Sequence, residues 1–182
     1  MKKAIAVIEF TTVSTGIKAA DIMAKTSDIE IVESMAVCPG KYMTVIAGLL
    51  SSVTASVQAA TSACGERLIS SFILGNPDES LLPAIYGSTK IEKISALGVF
   101  ETFDAATAVM AADTAAKTAI IDLIEIRLAK GMCGKSFVTL TGEVSAVEAA
   151  INRAAAVAGE AGMLLDSCII ANPDKQLERF IL

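Results

Sequence analysis

Cysteine is the residue type in this sequence that offers metal-binding or redox chemistry, because the chain has four cysteines and no histidine. Four thiols in 182 residues are too few for a disulfide scaffold, which favours a reducing compartment and makes each thiol a candidate for metal or redox work. The stretch Cys38-Pro39-Gly40-Lys41 predicts a type II turn, with proline second and glycine third. Since this turn ends an apolar run, we expect the Cys38 thiol to be exposed.

The elements that must position these thiols follow from an internal duplication. Three pairs of segments align in the same order: AIAVIEF at 4–10 with ALGVFET at 96–102, GKYMTVIAGLLSSV at 40–53 with GKSFVTLTGEVSAV at 134–147, and ILGNPD at 73–78 with IIANPD at 169–174. Because these matches span nearly the whole chain, they predict two similar domains, at 1–86 and 95–182, joined by a short polar linker at 87–94.

Each copy reads as strand, helix, strand, turn, strand, helix, strand and short helix, which predicts an α/β sandwich. In the first copy a helix is expected over residues 15–25, and a second helix is expected to start with Ser51 as its N-cap. The apolar stripe of that second helix consists of Val53, Val57, Ala60 and Cys64. After the fourth strand, Asn76 is predicted to cap the short helix and Pro77 to lie in its first turn.

Comparison of the two copies separates the cysteines that are expected to be structural. Cys64 aligns with Ala158 on the stripe of the second helix, and Cys168 aligns with Phe72 in the fourth strand. Because both counterparts are apolar, we predict that Cys64 and Cys168 are buried core thiols that behave as small hydrophobic residues.

The other two cysteines, Cys38 and Cys133, lie in the turn between the second and third strands of their copies. Alignment of the Gly-Lys pairs places Met132 opposite Cys38 and Cys133 opposite Pro39. The two thiols are therefore not equivalent, and we expect them to point in different directions.

Composition and charge exclude several classes of function. A chain that is 53% hydrophobic and 19% charged is globular, and its net charge of −5 gives no basic surface for nucleic acid. Residues 42–65 carry no charge and raise the question of a membrane span, but the aligned segment contains Glu143, Glu148 and Arg153, so an amphipathic helix explains both copies. The apolar run at the start is interrupted at Glu9, so we expect no signal peptide and a cytoplasmic protein.

The stretch AKGMCGKS at 129–136 fits a relaxed phosphate-binding loop, with alanine in place of the first glycine. Such a loop must run into a helix whose N-terminus holds the phosphates, whereas FVTLTG follows here and alternates like a strand. The chain also has no histidine for a nucleophilic pair or a zinc site, no G-x-G-x-x-G, and no acidic pair beyond the repeated Glu9 and Glu101. We predict that it is not an enzyme.

Three repeated features carry a resemblance to a known family: an Asp and a Lys four residues apart on each first helix (Asp21 and Lys25, Asp113 and Lys117), the Gly-Lys turn, and the closing NPD. With them the chain resembles, over essentially its whole length, the tandem-domain bacterial microcompartment (BMC) shell proteins. The CPGK turn is similar to that of their propanediol-utilisation T type (PduT-like). The resemblance implies two BMC domains of α/β class (an α+β sandwich), each with a four-stranded, mostly antiparallel sheet and flanking helices.

The resemblance also implies a function and a cofactor. It implies a homotrimer with pseudo-sixfold symmetry that tiles with other shell proteins into the shell of a microcompartment in the cytoplasm. The turns would line a central pore, which assigns Pro39, Gly40, Lys41, Met132, Gly134 and Lys135 to its wall. Three copies of Cys38 would bind a [4Fe-4S] cluster on the axis, which leaves one iron to water or an outside ligand. Electrons, or a whole cluster, would then cross the shell to a redox enzyme or electron carrier.

Cys133 departs from the T type, whose second turn has glycine at this position. An extra thiol near the axis could complete a ligand set, form a disulfide with its symmetry mates, or have no role. The ligand count therefore stays open, although the axis stays the place of the chemistry.

The four repeated lysines have assignments from the same resemblance. Lys25 and Lys117 match the family's edge lysines and are assigned to contacts between neighbouring oligomers. The alternative for them is an ordinary i,i+4 pair with aspartate on a solvated face. Lys41 and Lys135 would give the pore positive charge, which could offset a thiolate-bound cluster or attract anionic metabolites.

Two other functions stay open from the sequence. A shell pore that conducts a metabolite without a cluster would assemble in the same way, bind no iron and tolerate Cys38→Ser. A small two-domain regulatory protein would bind a ligand and neither form sheets nor hold iron. Assembly into sheets would distinguish either kind of shell tile from the regulatory protein. Iron content would distinguish the tile with a cluster from the tile without one.

Overall fold

The computed structural model describes residues 4–91 and 93–181. Contacts divide the chain into two compact units, Met1–Pro77 and Asp78–Leu182. The first unit contains β1 (Ala4–Phe10), α1 (Val13–Thr26), β2 (Ile29–Val37), β3 (Lys41–Gly48), α2 (Leu50–Cys64), a 3-10 turn (Gly65–Arg67) and β4 (Leu68–Gly75). The second contains α3 (Leu81–Tyr86), β5 (Ala96–Thr102), α4 (Ala105–Thr118), β6 (Ile121–Arg127), β7 (Ser136–Gly142), α5 (Val144–Glu160), β8 (Leu164–Ala171) and α6 (Lys175–Ile181). Residues 78–86, which the alignment groups with the first copy, therefore make their contacts within the second unit.

Each unit has the same sheet topology. In the described part of the chain there are two four-stranded sheets, with strand orders β2-β3-β1-β4 and β6-β7-β5-β8. Every pair of neighbouring strands is antiparallel. The predicted α+β fold and its duplication are confirmed, because both copies place the hairpin of their second and third strands beside a central first strand.

The core of the first unit lies between one face of the sheet and the two helices. Alternate residues of β1 point to that face, and they form one cluster with α1 and α2: Ala4, Ala6, Ile8, Phe10, Ala19, Ala20, Met23, Ile46, Val53, Val57, Ala60 and Cys64. The predicted stripe of α2 is thus confirmed. The predicted N-cap is wrong, because α2 begins at Leu50 and Ser51 lies inside its first turn.

Gly16 allows α1 to approach the sheet closely. A Cβ atom at Gly16 would overlap the Cβ atom of Tyr42 on β3. The Tyr42 hydroxyl accepts a hydrogen bond from Ser34 on β2 at 3.1 Å. The aromatic ring therefore lies against the glycine of the helix while its hydroxyl is held by the neighbouring strand.

The segment after β4 is organised by an aspartate and not by the predicted asparagine cap. Asn76 has a φ of 56°, a left-handed conformation that asparagine tolerates, and α3 begins only at Leu81. The Asp78 carboxylate accepts hydrogen bonds from the Ser80 N–H at 3.0 Å and the Ser80 hydroxyl at 2.6 Å. The local acceptor is therefore Asp78, and Pro77 precedes the helix without belonging to its first turn.

The uncharged stretch that raised the question of a membrane span forms separate elements. Residues 42–65 belong to β3, α2 and the start of the 3-10 turn, which together bury one side of a sheet. Within residues 4–91 and 93–181, none of the helices combines the length and the apolar character that a membrane crossing requires.

Candidate functional site: the two glycine-lysine turns

The β2–β3 turn closes one residue earlier than the sequence predicts. The Gly40 N–H donates to the Val37 carbonyl at 3.0 Å, and the Cys38–Pro39 peptide bond is cis. Proline therefore occupies the third position of a type VI turn over residues 37–40, and the predicted type II turn over 38–41 is wrong. The positive φ expected of Gly40 is confirmed, at 85°.

Cys38 lies at the tip of this hairpin, directly after the last residue of β2. Its side chain is half-buried and not fully exposed as predicted. Among the described residues, no group of three or more Cys, Asp or Glu side chains is placed to hold a metal ion.

The β6–β7 turn is longer and has a different backbone. The Lys135 N–H donates to the Met132 carbonyl at 3.1 Å, and the two residues between them, Cys133 and Gly134, have φ values of 54° and 89°. Gly134 thus matches Gly40 in conformation, which supports the alignment of the two Gly-Lys pairs. Cys133 is exposed and occupies a left-handed position, whereas its counterpart Pro39 follows a cis bond.

The phosphate-binding pattern in this loop is followed by a strand and not by a helix. β7 begins at Ser136, so the pattern runs into a strand, as predicted. The Ser136 hydroxyl is buried and accepts a hydrogen bond from the Ala129 N–H at 3.1 Å. This serine closes the base of the loop.

The sequence-based prediction does not assign Glu9 to the first turn, yet the structure connects it to that turn. Its side chain is 3% exposed, and its Oε2 atom lies 3.6 Å from the Nζ atom of Lys41. The sequence does contain a signal for this residue: Glu9 is the one charged residue in the otherwise apolar strand AIAVIEF, and the second copy repeats it as Glu101. A buried carboxylate of this kind usually has a cationic partner.

The two Asp-Lys pairs are formed within their helices, as the alternative interpretation expects. Lys25 lies 2.7 Å from Asp21, and Lys117 lies 2.6 Å from Asp113. The first pair is largely exposed, whereas the Asp113 side chain is only 8% exposed. Asp113 also accepts a hydrogen bond from the Asp78 N–H at 2.8 Å. The second pair therefore fixes a backbone segment in addition to its lysine.

The two cysteines predicted to be buried differ. Cys64 is buried as expected, whereas Cys168 is exposed, so that prediction is wrong. β8 is an edge strand without a single buried residue, which is the physical reason for the difference. The pKa of the Cys168 thiol is raised, first by its partial burial and then by the nearby carboxylates of Asp166 and Glu101.

Comparison with known proteins gives three concordant findings. The family model of the BMC domain matches residues 4–77 and again residues 96–173. The chain is 34% identical over 179 residues to the bacterial microcompartment shell protein PduT of Citrobacter freundii, covering 98% of this chain and 97% of that protein. A crystal structure of a microcompartment protein from Desulfitobacterium hafniense DCB superposes with a TM-score of 0.95 at 41% identity, covering 98% of this chain and 99% of that one.

Proposed function

Because this chain belongs to the BMC-domain family and is a tandem-domain shell protein of the PduT type, we propose that it is a trimeric shell tile whose Cys38 turns share one iron–sulfur cluster. Its location is the shell of a bacterial microcompartment, and its role there is structural and not enzymatic. The observation that carries the shell assignment is the double match of the BMC domain in one chain, with the same fold in both copies.

The trimer is argued from the duplication. Homo-oligomers form closed rings, and a ring of three chains with two similar domains each has six similar positions. Such a tile would pack edge to edge with other shell proteins. Sedimentation of the purified protein should give a trimer, and a stable monomer at micromolar concentration would contradict the proposal.

The donor set of the Cys38 turn fits an iron–sulfur cluster that several chains share. Thiolate is the ligand that such clusters use, and each chain offers one half-buried thiol at the tip of a hairpin. Since a single chain has no group of side chains that could hold a metal among its described residues, the remaining ligands would come from symmetry-related copies of Cys38. When bound, the cluster supplies one-electron transfer, and the protein would pass electrons, or the cluster itself, across the shell to a redox enzyme or carrier.

The test is the content of iron and acid-labile sulfide after anaerobic purification, together with the visible spectrum. About four of each per trimer are expected for a [4Fe-4S] cluster. Cys38→Ser should lose both, while Cys133→Ser, the matched thiol of the second turn, should retain them if Cys133 is not a ligand. Loss in both variants would instead assign Cys133 to the ligand set.

Absence of iron after anaerobic reconstitution would overturn the cluster and leave the shell assignment intact. The protein would then be a tile with a pore that conducts a metabolite. In that case Cys38→Ser should change neither assembly nor stability.

A further inference from the structure

The two Gly-Lys turns carry a lysine at the same aligned position, Lys41 in the first and Lys135 in the second. Both lysines follow a glycine of positive φ, 85° at Gly40 and 89° at Gly134. Sequence alone therefore gives the two turns the same charge. Their surroundings differ in a way that changes this charge.

Lys41 is the first residue of β3 and is paired with Val37 across the hairpin. Glu9 on β1 lies directly opposite Met43, two residues beyond Lys41, so Glu9 and Lys41 are diagonal neighbours on one face of the sheet. The distance of 3.6 Å between Glu9 Oε2 and Lys41 Nζ is that of an ion pair. Because Glu9 is buried and Lys41 is 32% exposed, solvent screens this pair less than a surface pair.

Lys135 has no such partner within residues 4–91 and 93–181. It lies outside the strand, since β7 begins at Ser136 and the pairing of β6 with β7 ends at Arg127 and Phe137. Residues 128–135 form the connection here, whereas residues 38–40 suffice in the first unit. Among the described residues no carboxylate lies within ion-pair distance of Lys135, and the counterpart of Glu9, Glu101, is half-buried beside Asp166 on β8.

We infer that the two turns present different charges: Glu9 neutralises Lys41 beside Cys38, and Lys135 leaves a free positive charge beside Cys133. Lys135 is then the residue that attracts small anionic solutes, such as carboxylates and phosphate esters. The Cys38 turn does not attract them, because Glu9 offsets the charge of Lys41. The placement of both lysines at a pore rests on the proposed function, but the charge of each turn does not.

The two native thiols report these charges directly. The full-length protein, freed of iron by a chelator, is treated with a negatively or a positively charged methanethiosulfonate, and the modified tryptic peptides that contain Cys38 and Cys133 are quantified by mass spectrometry. These peptides are 26–41 and 131–135 in the wild type, and they become 26–67 in Lys41→Gln and 131–153 in Lys135→Gln. The rate ratio of the anionic to the cationic reagent measures the local potential, because differences in accessibility largely cancel between reagents of similar size.

We expect a higher ratio at Cys133 than at Cys38. Glu9→Gln should raise the ratio at Cys38 about two- to fourfold, the effect of a unit charge roughly 10 Å away at high dielectric, and should not change Cys133. Lys135→Gln should lower the ratio at Cys133 by a similar factor. Equal ratios at both thiols in the wild type, or no response to Lys135→Gln, would overturn the inference.

Glu9→Gln removes a buried charge and could affect folding, so a second comparison stands beside it. Lys41→Gln removes the cation of the pair and keeps the Glu9 charge, whereas Lys135→Gln keeps no such opposing charge among the described residues. The ratio at Cys38 in Lys41→Gln should therefore be lower than the ratio at Cys133 in Lys135→Gln. The opposite order would contradict the inference. Since no iron is involved, neither result depends on whether the protein binds a cluster.

Discussion

Cys168 lies on edge strand β8, close to two carboxylates of the same sheet. Asp166 precedes it by two residues on the same face, and Glu101 on β5 lies directly opposite Asp166. The negative charge of a thiolate is disfavoured near these carboxylates, and partial burial disfavours it further. The pKa of Cys168 is therefore raised, first by its partial burial and then by Asp166 and Glu101. Exposure alone therefore does not make this thiol reactive.

Alkylation by iodoacetamide should show this directly. At neutral pH we expect Cys168 to react more slowly than an ordinary exposed thiol, because less of it is thiolate. Asp166→Asn removes one negative charge and should lower the pKa of Cys168, which shifts the pH–rate curve toward lower pH. The rate is followed on the tryptic peptide 154–175, and an unshifted curve would remove Asp166 as a cause.

At the scale of elements, the approach of α1 to β3 depends on a glycine that helix propensity alone would replace. Gly16 lies in the first turns of α1, where alanine is the better helix former. Its missing side chain is what leaves room for Tyr42. Packing between elements therefore outweighs local preference at this position.

Gly16→Ala should lower the free energy of unfolding by about 1–3 kcal/mol, because the helix must move off the sheet or Tyr42 must change rotamer. The matched control is Gly159→Ala in α5, where an added Cβ atom meets nothing within 4 Å. There the higher helix propensity should give a gain of up to about 1 kcal/mol. Denaturant titration measures both, and the same sign for the two variants would refute the packing argument.

The strands and helices could be predicted from the sequence. The residues at which the helices begin, and the strand that lies at the edge of the sheet, could not. Two copies of each strand and helix agree with each other, and the stripe containing Val53 and Val57 has a clear helical period. The predicted caps at Ser51 and Asn76 are wrong because neither helix begins with a side-chain cap: α2 follows Leu49 and α3 follows Ser80, and neither side chain makes a capping hydrogen bond. The exposure of Cys168 depends on strand order, which is a long-range property that local pattern does not contain.

At the scale of the whole molecule, equivalent residues of the two copies make different contacts. Asp21 and Asp113 occupy the same place on α1 and α4, and each pairs with the lysine of the next turn. Among the described residues, only Asp113 also accepts a hydrogen bond from the backbone N–H of Asp78, the first residue of the second unit. The Gly-Lys turns show the same divergence, since sequence aligned them but could not show which lysine is paired.

Asp113→Ala should lower the free energy of unfolding by about 1–3 kcal/mol, because the Asp78 N–H loses its acceptor in a partly buried site. Asp21→Ala makes the same change on an exposed pair and should stay within about 0.5 kcal/mol of the wild type. Thermal unfolding of both variants checks this. Equal losses would mean that the contact with Asp78 contributes nothing.

Assembly gives a separate prediction for the exposed lysine. Lys25 is 74% exposed, so its removal should leave the stability unchanged and weaken contacts between tiles if it lies at their edge. We expect Lys25→Ala to reduce sheet formation seen by electron microscopy. Lys18→Ala, an exposed lysine on the same helix, should not, and normal sheets from Lys25→Ala would assign that residue to its pair with Asp21 alone.

The unequal lengths of the two turns have a genetic consequence. In an oligomer of single-domain subunits one codon change appears in every subunit, whereas here a change in one copy leaves the other as it was. The short turn at 37–40 and the longer connection at 128–135 can therefore accumulate substitutions or insertions independently. An engineer could place a binding peptide in the exposed loop around Gly131 and leave the Cys38 turn intact, so the duplicated gene offers two separately editable positions on one fold.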